Sequence, residues 1–280
     1  MDDKKIVITG ANGQVGRALQ KIYPQALALD REQLDITNQK AINEFNWDNV
    51  KVIINAAAWT DVDGAENPSN YNLVKAVNVD ASRYLATAAS QHDLTFVTFS
   101  SDYVFDGSQP IHNEDELFSP LNIYGKTKAD GDLAAATTIK HYIIRTSWVI
   151  GDGRNFVNIM QDLAARGVRP SVVNDQIGRL TFTDTLARGI KHLLEIGAPY
   201  GTYNLTNEGQ PVSWADIAKI VFEKSGKSPS DVQPVSTAEY FADKPNTAKR
   251  PLQSTLDLTK IEKTGFIPED WRDKLDKLLG

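Results

Sequence analysis

Tyr124 and Lys128, in the stretch YGKTK, stand four positions apart. On a helix that is one turn, so the phenol and the ammonium share a face with Cβ atoms roughly 5–6 Å apart. A free phenol titrates near about 10. A neighbouring ammonium stabilises its phenolate and lowers that value, so the pair could donate a proton near neutral pH. The spacing is common by chance, and the same residues read equally as a solvated helix face. Ser100, Ser101 and Asp102, in TFSSDYVFDG, are a second set. They follow an apolar run, where hydroxyls and a carboxylate could orient a substrate oxygen or simply form a turn.

The glycines of ITGANGQVG supply a task for these groups. Gly10, Gly13 and Gly16 follow the strand-like KKIVIT and open a helical pattern; a glycine triplet alone is weak, but the strand–loop–helix setting points to dinucleotide binding. Gly10 permits the tight turn, Gly13 lets the backbone approach a pyrophosphate, and Gly16 lets the helix pack close to the strand. The amides of Gln14 and Val15 would face phosphate from the helix N-terminus. The next apolar run, ALAL, ends at Asp30, followed by Arg31. Asp30 accepting from ribose hydroxyls suits NAD, Arg31 pairing with a 2′-phosphate suits NADP, and both readings stand. Asp35 and Ile36 read either as an adenine contact or as a loop. With a nicotinamide supplying hydride, a ketone also needs a proton for its nascent alkoxide. Tyr124 would deliver it, while Lys128 also reaches the nicotinamide ribose.

These residues need elements to position them. Strand candidates at 4–9, 26–29, 51–56, 94–100 and 141–147 alternate with helical patterns near 13–22, 38–46, 70–91 and 124–136. Strands too apolar to be wet on one face, alternating with helices, predict a Rossmann-type α/β fold with a doubly wound parallel sheet. After about Gly151 the pattern shifts to a helix at 154–166, a strand at 171–174 and a helix at 183–196. A further helix at 213–226 has Ser213 and Asp216 at capping-box spacing and stops at Gly226. The expected organisation is a dinucleotide-binding domain over 1–150 and about 175–200, interleaved with a smaller α/β substrate-binding lobe over about 151–174 and 201–280.

Composition narrows the function classes. The 280 residues are 41% hydrophobic and 24% charged, near globular averages. A net charge of −6 without a long basic run argues against nucleic acid or an anionic membrane as partner. The absence of cysteine excludes disulfides, thiolate metal sites and cysteine nucleophiles. No apolar signal core and no run approaching about 18 apolar residues is present, so a cytoplasmic protein is expected.

Taken in order, GANGQVG, NAAAWTDVDGAE (55–66), SSDYVFDG (100–107), YGKTK (124–128), RTSWVIG (145–151), VNDQIGRLT (173–181) and KRP (249–251) resemble the extended short-chain dehydrogenase/reductase superfamily. Within it they are similar to its nucleotide-sugar 4-ketoreductases. The resemblance spans nearly the whole chain. It implies NADPH- or NADH-dependent reduction of the 4-keto group of dTDP-4-dehydro-6-deoxy-L-mannose to dTDP-L-rhamnose. It makes Tyr124 the proton donor and Lys128 its cofactor-bound partner. Ser101 stands where the family often has threonine, and Asp102 and Trp148 line the sugar. Gly13, Gln14, Val15, Asp30, Asp35, Ile36 and the run Ala56, Ala57, Ala58 become dinucleotide contacts, and Asn155, Arg179 and Arg250 candidates for the nucleotide diphosphate, guanidinium forks being suited to phosphate.

Some members of that branch resemble dimers bridged by Mg2+ through glutamates, one just after the glycine loop. Ala18 stands at that position and the chain ends at Gly280 without a matching acidic residue. The expectation is a monomer or weak homodimer with no metal. Two other functions compete: a non-catalytic dinucleotide-binding regulatory subunit, and a sugar-nucleotide epimerase or dehydratase. Related dehydratases carry Asp-Glu after the strand-end hydroxyl, whereas Asp102 is followed by Tyr103 here.

Overall fold

The computed structural model describes residues 2–244 and 247–280. Its first half runs Ile6–Thr9 (β1), Gln14–Ile22 (α1), Leu27–Leu29 (β2), Gln39–Glu44 (α2), Val52–Asn55 (β3), Val62–Ala65 (α3), Tyr71–Lys75 (α4), Ala81–Gln91 (α5), Thr95–Ser101 (β4), Ile123–Ala135 (α6) and His141–Thr146 (β5). The five strands are parallel, in spatial order β2-β1-β3-β4-β5. Ile6, Ile8, Val52, Ile54, Val97 and Ile144 pack on one face of this sheet with Leu19 of α1. Val7, Ile53, Phe96 and Ile143 pack on the other with Leu85 and Ala89 of α5. Because both faces are covered, the strands read as continuous apolar runs rather than alternating ones.

The second half runs Val149–Ile150 (β6), Phe156–Ala165 (α7), Ser171–Val173 (β7), Ile177–Gly178 (β8), Thr181–Phe182 (β9), Thr183–Ile196 (α8), Gly201–Asn204 (β10), Val212–Ser213 (β11), Trp214–Lys224 (α9), Gln233–Val235 (β12), Thr237–Phe241 (α10), Thr259–Glu262 (α11) and Trp271–Leu279 (α12). Val157, Met160, Val221, Phe222, Trp271 and Leu275 build a separate core for the lobe. Leu186, Ile190 and Leu193 of α8 instead join the sheet core beside α1.

The interleaving is finer than the sequence suggests. Residues 201–204, expected in the lobe, form β10, the sixth parallel strand, with Tyr203 opposite Ile144 of β5; Leu258 and Ile261 also pack against the sheet. Leu180 and Phe182, expected with the sheet domain, belong to the lobe core. GTYN carries too few apolar residues to announce a strand, and the open edge of β5 decides its conformation.

The helical pattern at 70–91 is also interrupted. Ala76–Asp80 form a π-helical turn, a feature that recurs at functional sites. Buried Asn78 in that turn accepts from the Trp59 amide at 2.9 Å and donates to Thr127 Oγ1 on α6 at 3.1 Å. Hydrophobic spacing carries no signal for such a bulge.

α6 is further held to β5 by a buried ion pair, Arg145 Nε to Asp132 Oδ2 at 3.1 Å. The guanidinium lies over the rings of Phe105 and Phe118, at 5.3 and 4.9 Å. Asp132→Ala would leave Arg145 buried without its carboxylate and should cost about 3–5 kcal/mol. Urea midpoints check this, and the double variant Asp132→Leu/Arg145→Met should recover much of the loss.

Candidate active site

A cleft of about 930 Å³ opens at the carboxyl ends of β1, β3, β4 and β5. The chain crosses over β1 between β2 and β3, and open α/β sheets bind ligands at such a switch point. One wall is the glycine turn. Gly10 has φ +73°, and a Cβ there would lie 2.5 Å from the Ala57 nitrogen. A Cβ on Gly16 would lie 2.2 Å from the Gly10 carbonyl oxygen. These contacts press the turn, α1 and the end of β3 together. Gly16 thus serves packing, and it is absent from the cleft wall that Gly10, Gly13, Gln14 and Val15 form.

The N-cap of α1, Gly13, offers no side-chain acceptor, and the first turn carries no acidic residue. Its free amides and the positive end of the helix dipole fit a diphosphate. Asp30, Arg31, Asp35, Ile36 and Ala56 to Ala58 line the same cleft. Asp30 Oδ1 already accepts from the Glu32 and Gln33 amides, at 3.0 and 3.1 Å, and Oδ2 from Asn12 Nδ2 at 3.3 Å. Arg31 lies 3.7 Å from Asp35.

The other wall carries Ser101, Asp102, Tyr124, Lys128 and Trp148. α6 begins at Asn122, whose Oδ1 accepts from the Gly125 amide at 2.7 Å and whose Nδ2 donates to the Lys249 carbonyl at 2.6 Å. Glu66 Oε1 accepts from the Ile123 amide at 2.7 Å. These bonds fix the turn that carries Tyr124. One turn later Lys128 is buried and donates to the Phe99 carbonyl of β4 at 2.6 Å.

The electrostatics differ from the sequence expectation. Burial pushes the Tyr124 phenol up to about 12, with the Ser101 hydroxyl lowering it and Asp102 raising it further. Lys128 brings no lowering, because desolvation dominates at the phenol and the ammonium is turned to a carbonyl. Burial also lowers Lys128, against the attraction of Asp132.

Three expected diphosphate contacts are not brought to this cleft. Asn155 caps α7, accepting from the Asn158 amide at 3.1 Å and donating to the carbonyls of Gly151 and Gly153. Arg179 is buried and donates to the Leu256 carbonyl. Arg250 is paired with Asp63 at 2.8 Å and stacked over Phe241. Their residue type suited phosphate, but backbone carbonyls and a carboxylate already engage them.

Conversely, Trp214, Tyr103, Asn12, Arg17 and Thr146 line the cleft without having been singled out. The Tyr103 ring meets that of Tyr124 edge-on, with centroids 5.5 Å apart. Trp214 shares the helical spacing of Ile217, Ala218 and Val221, so from sequence it is indistinguishable from core. Trp148 takes the left-handed backbone region, φ +49°, which costs on the order of 1–3 kcal/mol for such a residue.

Burial pushes the Asp102 carboxyl up from 3.8 to about 6, while the nearby Ser254 hydroxyl and the Ser101 hydroxyl, which donates to Oδ1 at 3.0 Å, lower it. A carboxyl that holds its proton more tightly folded than unfolded disfavours folding as pH rises between the two values, and the penalty is complete above the folded one. Asp102→Asn should therefore stabilise the fold by on the order of 2–3 kcal/mol at about pH 8, with the gain fading toward about pH 4. Urea midpoints at the two pH values check this; equal shifts at both would contradict it.

The chain matches the family described as RmlD substrate binding domain over residues 4–280. It is 40% identical to a dTDP-4-dehydrorhamnose reductase of Aggregatibacter actinomycetemcomitans, over 98% of each chain. It is 36% identical to the spore coat polysaccharide biosynthesis protein SpsK of Bacillus subtilis, over 98% of this chain and 96% of the other. Among solved structures, a dTDP-4-dehydrorhamnose reductase of Bacillus anthracis in complex with NADP superposes with a TM-score of 0.89 at 34% identity, covering 97% of each chain. Its counterpart from Clostridium acetobutylicum gives 0.89 at 37% identity, again over 97% of each. The glycine cradle, the strand-end hydroxyls and the Tyr–Lys helix thus sit in a chain matched from end to end: it belongs to the RmlD substrate binding domain family of extended short-chain dehydrogenase/reductases.

Proposed function

We propose that the protein is an NAD(P)H-dependent 4-ketoreductase that converts dTDP-4-dehydro-6-deoxy-L-mannose to dTDP-L-rhamnose. The observation that carries this reading is the meeting of Tyr124, Lys128 and Ser101 with an uncapped glycine cradle across one cleft. The similarity to reductases of that name, one of them in complex with NADP, supports both the substrate and the cofactor class.

In this reading the bound dinucleotide supplies the hydride. The amides of Gln14 and Val15 hold its diphosphate, and Ala56 to Ala58, with methyl side chains only, let it approach the end of β3. Asp30 and Arg31 stand at the adenosine end. Ser101 Oγ and Tyr124 Oη orient the sugar carbonyl, and Tyr124 gives its proton to the developing alkoxide. Burial keeps Tyr124 protonated at neutral pH, the form a reduction needs. After transfer, the Ser101 hydroxyl stabilises the phenolate, while Lys128 reaches the nicotinamide ribose. Asp102 and Trp148 contact the sugar.

Tyr124→Phe should keep cofactor affinity and lose roughly 10²–10⁴-fold in kcat, the usual worth of a positioned acid. Lys128→Ala should weaken both cofactor binding and rate. NAD(P)H absorbance, followed with the dTDP-4-keto sugar, measures both. Stoichiometric consumption separates reduction from epimerisation, and a folded, cofactor-binding protein that oxidises no NAD(P)H would reject the proposal.

A further inference from the structure

We infer that Trp214, contributed by the lobe, is the positioning residue for the Trp148 indole, and that the stacked pair forms the wall against which the sugar ring of the substrate seats. This rests on the reading of Trp148 as a sugar contact.

The two indoles lie 3.8 Å apart between centroids and 17° from parallel, a face-to-face stack closer than the roughly 4.5–7 Å at which aromatic pairs usually meet. Both line the cleft. Trp148 leaves β5 in a left-handed conformation, and its carbonyl accepts from the Thr181 amide at 3.0 Å. Such a backbone persists where its surroundings over-determine it, and the surroundings here come from the lobe. Gly178 of β8 approaches so closely that an added Cβ would lie 2.9 Å from Cε2 and Cζ2 of the Trp148 ring.

The lobe in turn fixes Trp214. β8 pairs with β11, Gly178 opposite Val212 and Ile177 opposite Ser213. Ser213 and Asp216 close a capping box at the start of α9, which sets the first helical residue, Trp214. Phe156 of α7 packs against its ring at 4.4 Å. A two-strand pairing and a helix cap therefore place the glycine and the indole that together confine Trp148. The apolar face of a pyranose meeting such a wall gains from a ring that is already immobile, because less rotamer freedom is lost on binding.

The test compares Trp214→Ala, Trp214→Phe and Trp148→Ala in the full chain. Trp214→Ala should raise the KM for the keto sugar and the Kd for dTDP-L-rhamnose by about tenfold. It should leave NADPH affinity and the affinity for dTDP alone in place, with kcat at saturating substrate largely retained. Trp214→Phe should recover most of the loss, since a ring remains to stack. The exciton couplet that closely stacked indoles produce in circular dichroism should be present in the parent and absent from all three variants. Retained NADPH binding verifies folding. An unchanged sugar KM in Trp214→Ala, or no recovery by Trp214→Phe, overturns the inference; so does an equal loss for dTDP alone, which would assign the wall to the base. If Trp148→Ala also leaves the sugar KM unchanged, the reading of Trp148 itself fails. If only Trp148 matters, the positioning role of Trp214 fails alone.

Discussion

A parallel sheet covered on both faces leaves polar side chains one economical place, the carboxyl ends of its strands. The middle strands carry Ile, Val and Phe inward on either side. Their polar residues collect at one edge. Thr9 Oγ1 donates to Asn55 Oδ1 at 2.8 Å, joining the ends of β1 and β3, and the same oxygen accepts from the Ala57 amide at 3.2 Å. The glycine turn, the Ala56–Ala58 run, the Ser100–Asp102 hydroxyls and carboxylate, and the turn bearing Trp148 all follow from that constraint. Each is a strand end that cannot continue into solvent as a strand.

Burial then sets the chemistry of the groups placed there. Tyr124 is held in its acid form because a phenolate would be poorly solvated, and Asp102 resists ionisation for the same reason. These are costs to the fold that a catalytic cleft accepts, and they are contained by structure just outside it. Arg145 and Asp132 neutralise each other behind Lys128. Asn122 and Glu66 meet the first amides of α6. The lobe contributes through Lys249, Gly178 and Trp214, so the site is shared between two cores built by an interleaved chain.

What the sequence revealed depended on whether the cause was local. The strand–glycine–helix motif, the one-turn Tyr–Lys spacing and the Ser213 capping box each act within a few residues, and their elements lie within a few positions of where the pattern put them. The π turn at Ala76–Asp80 and the edge strand Gly201–Asn204 have no such signature. One depends on packing against α6, the other on an open partner strand. Asn155, Arg179 and Arg250 show the converse: a residue type suited to phosphate says nothing about which acceptor reaches it first.

By itself, then, the sequence determined a dinucleotide-type α/β fold, the strand–helix alternation of its first half and the residue types suited to carrying a proton or cradling a phosphate, because periodicity, turn chemistry and capping are short-range. Tertiary structure decided which of those residues share a cleft, that burial rather than Lys128 governs Tyr124, and that Trp214 stacks on Trp148 at the edge of the lobe core. Those outcomes depend on desolvation and on contacts between segments more than sixty residues apart, such as the indole pair, and no local pattern encodes them.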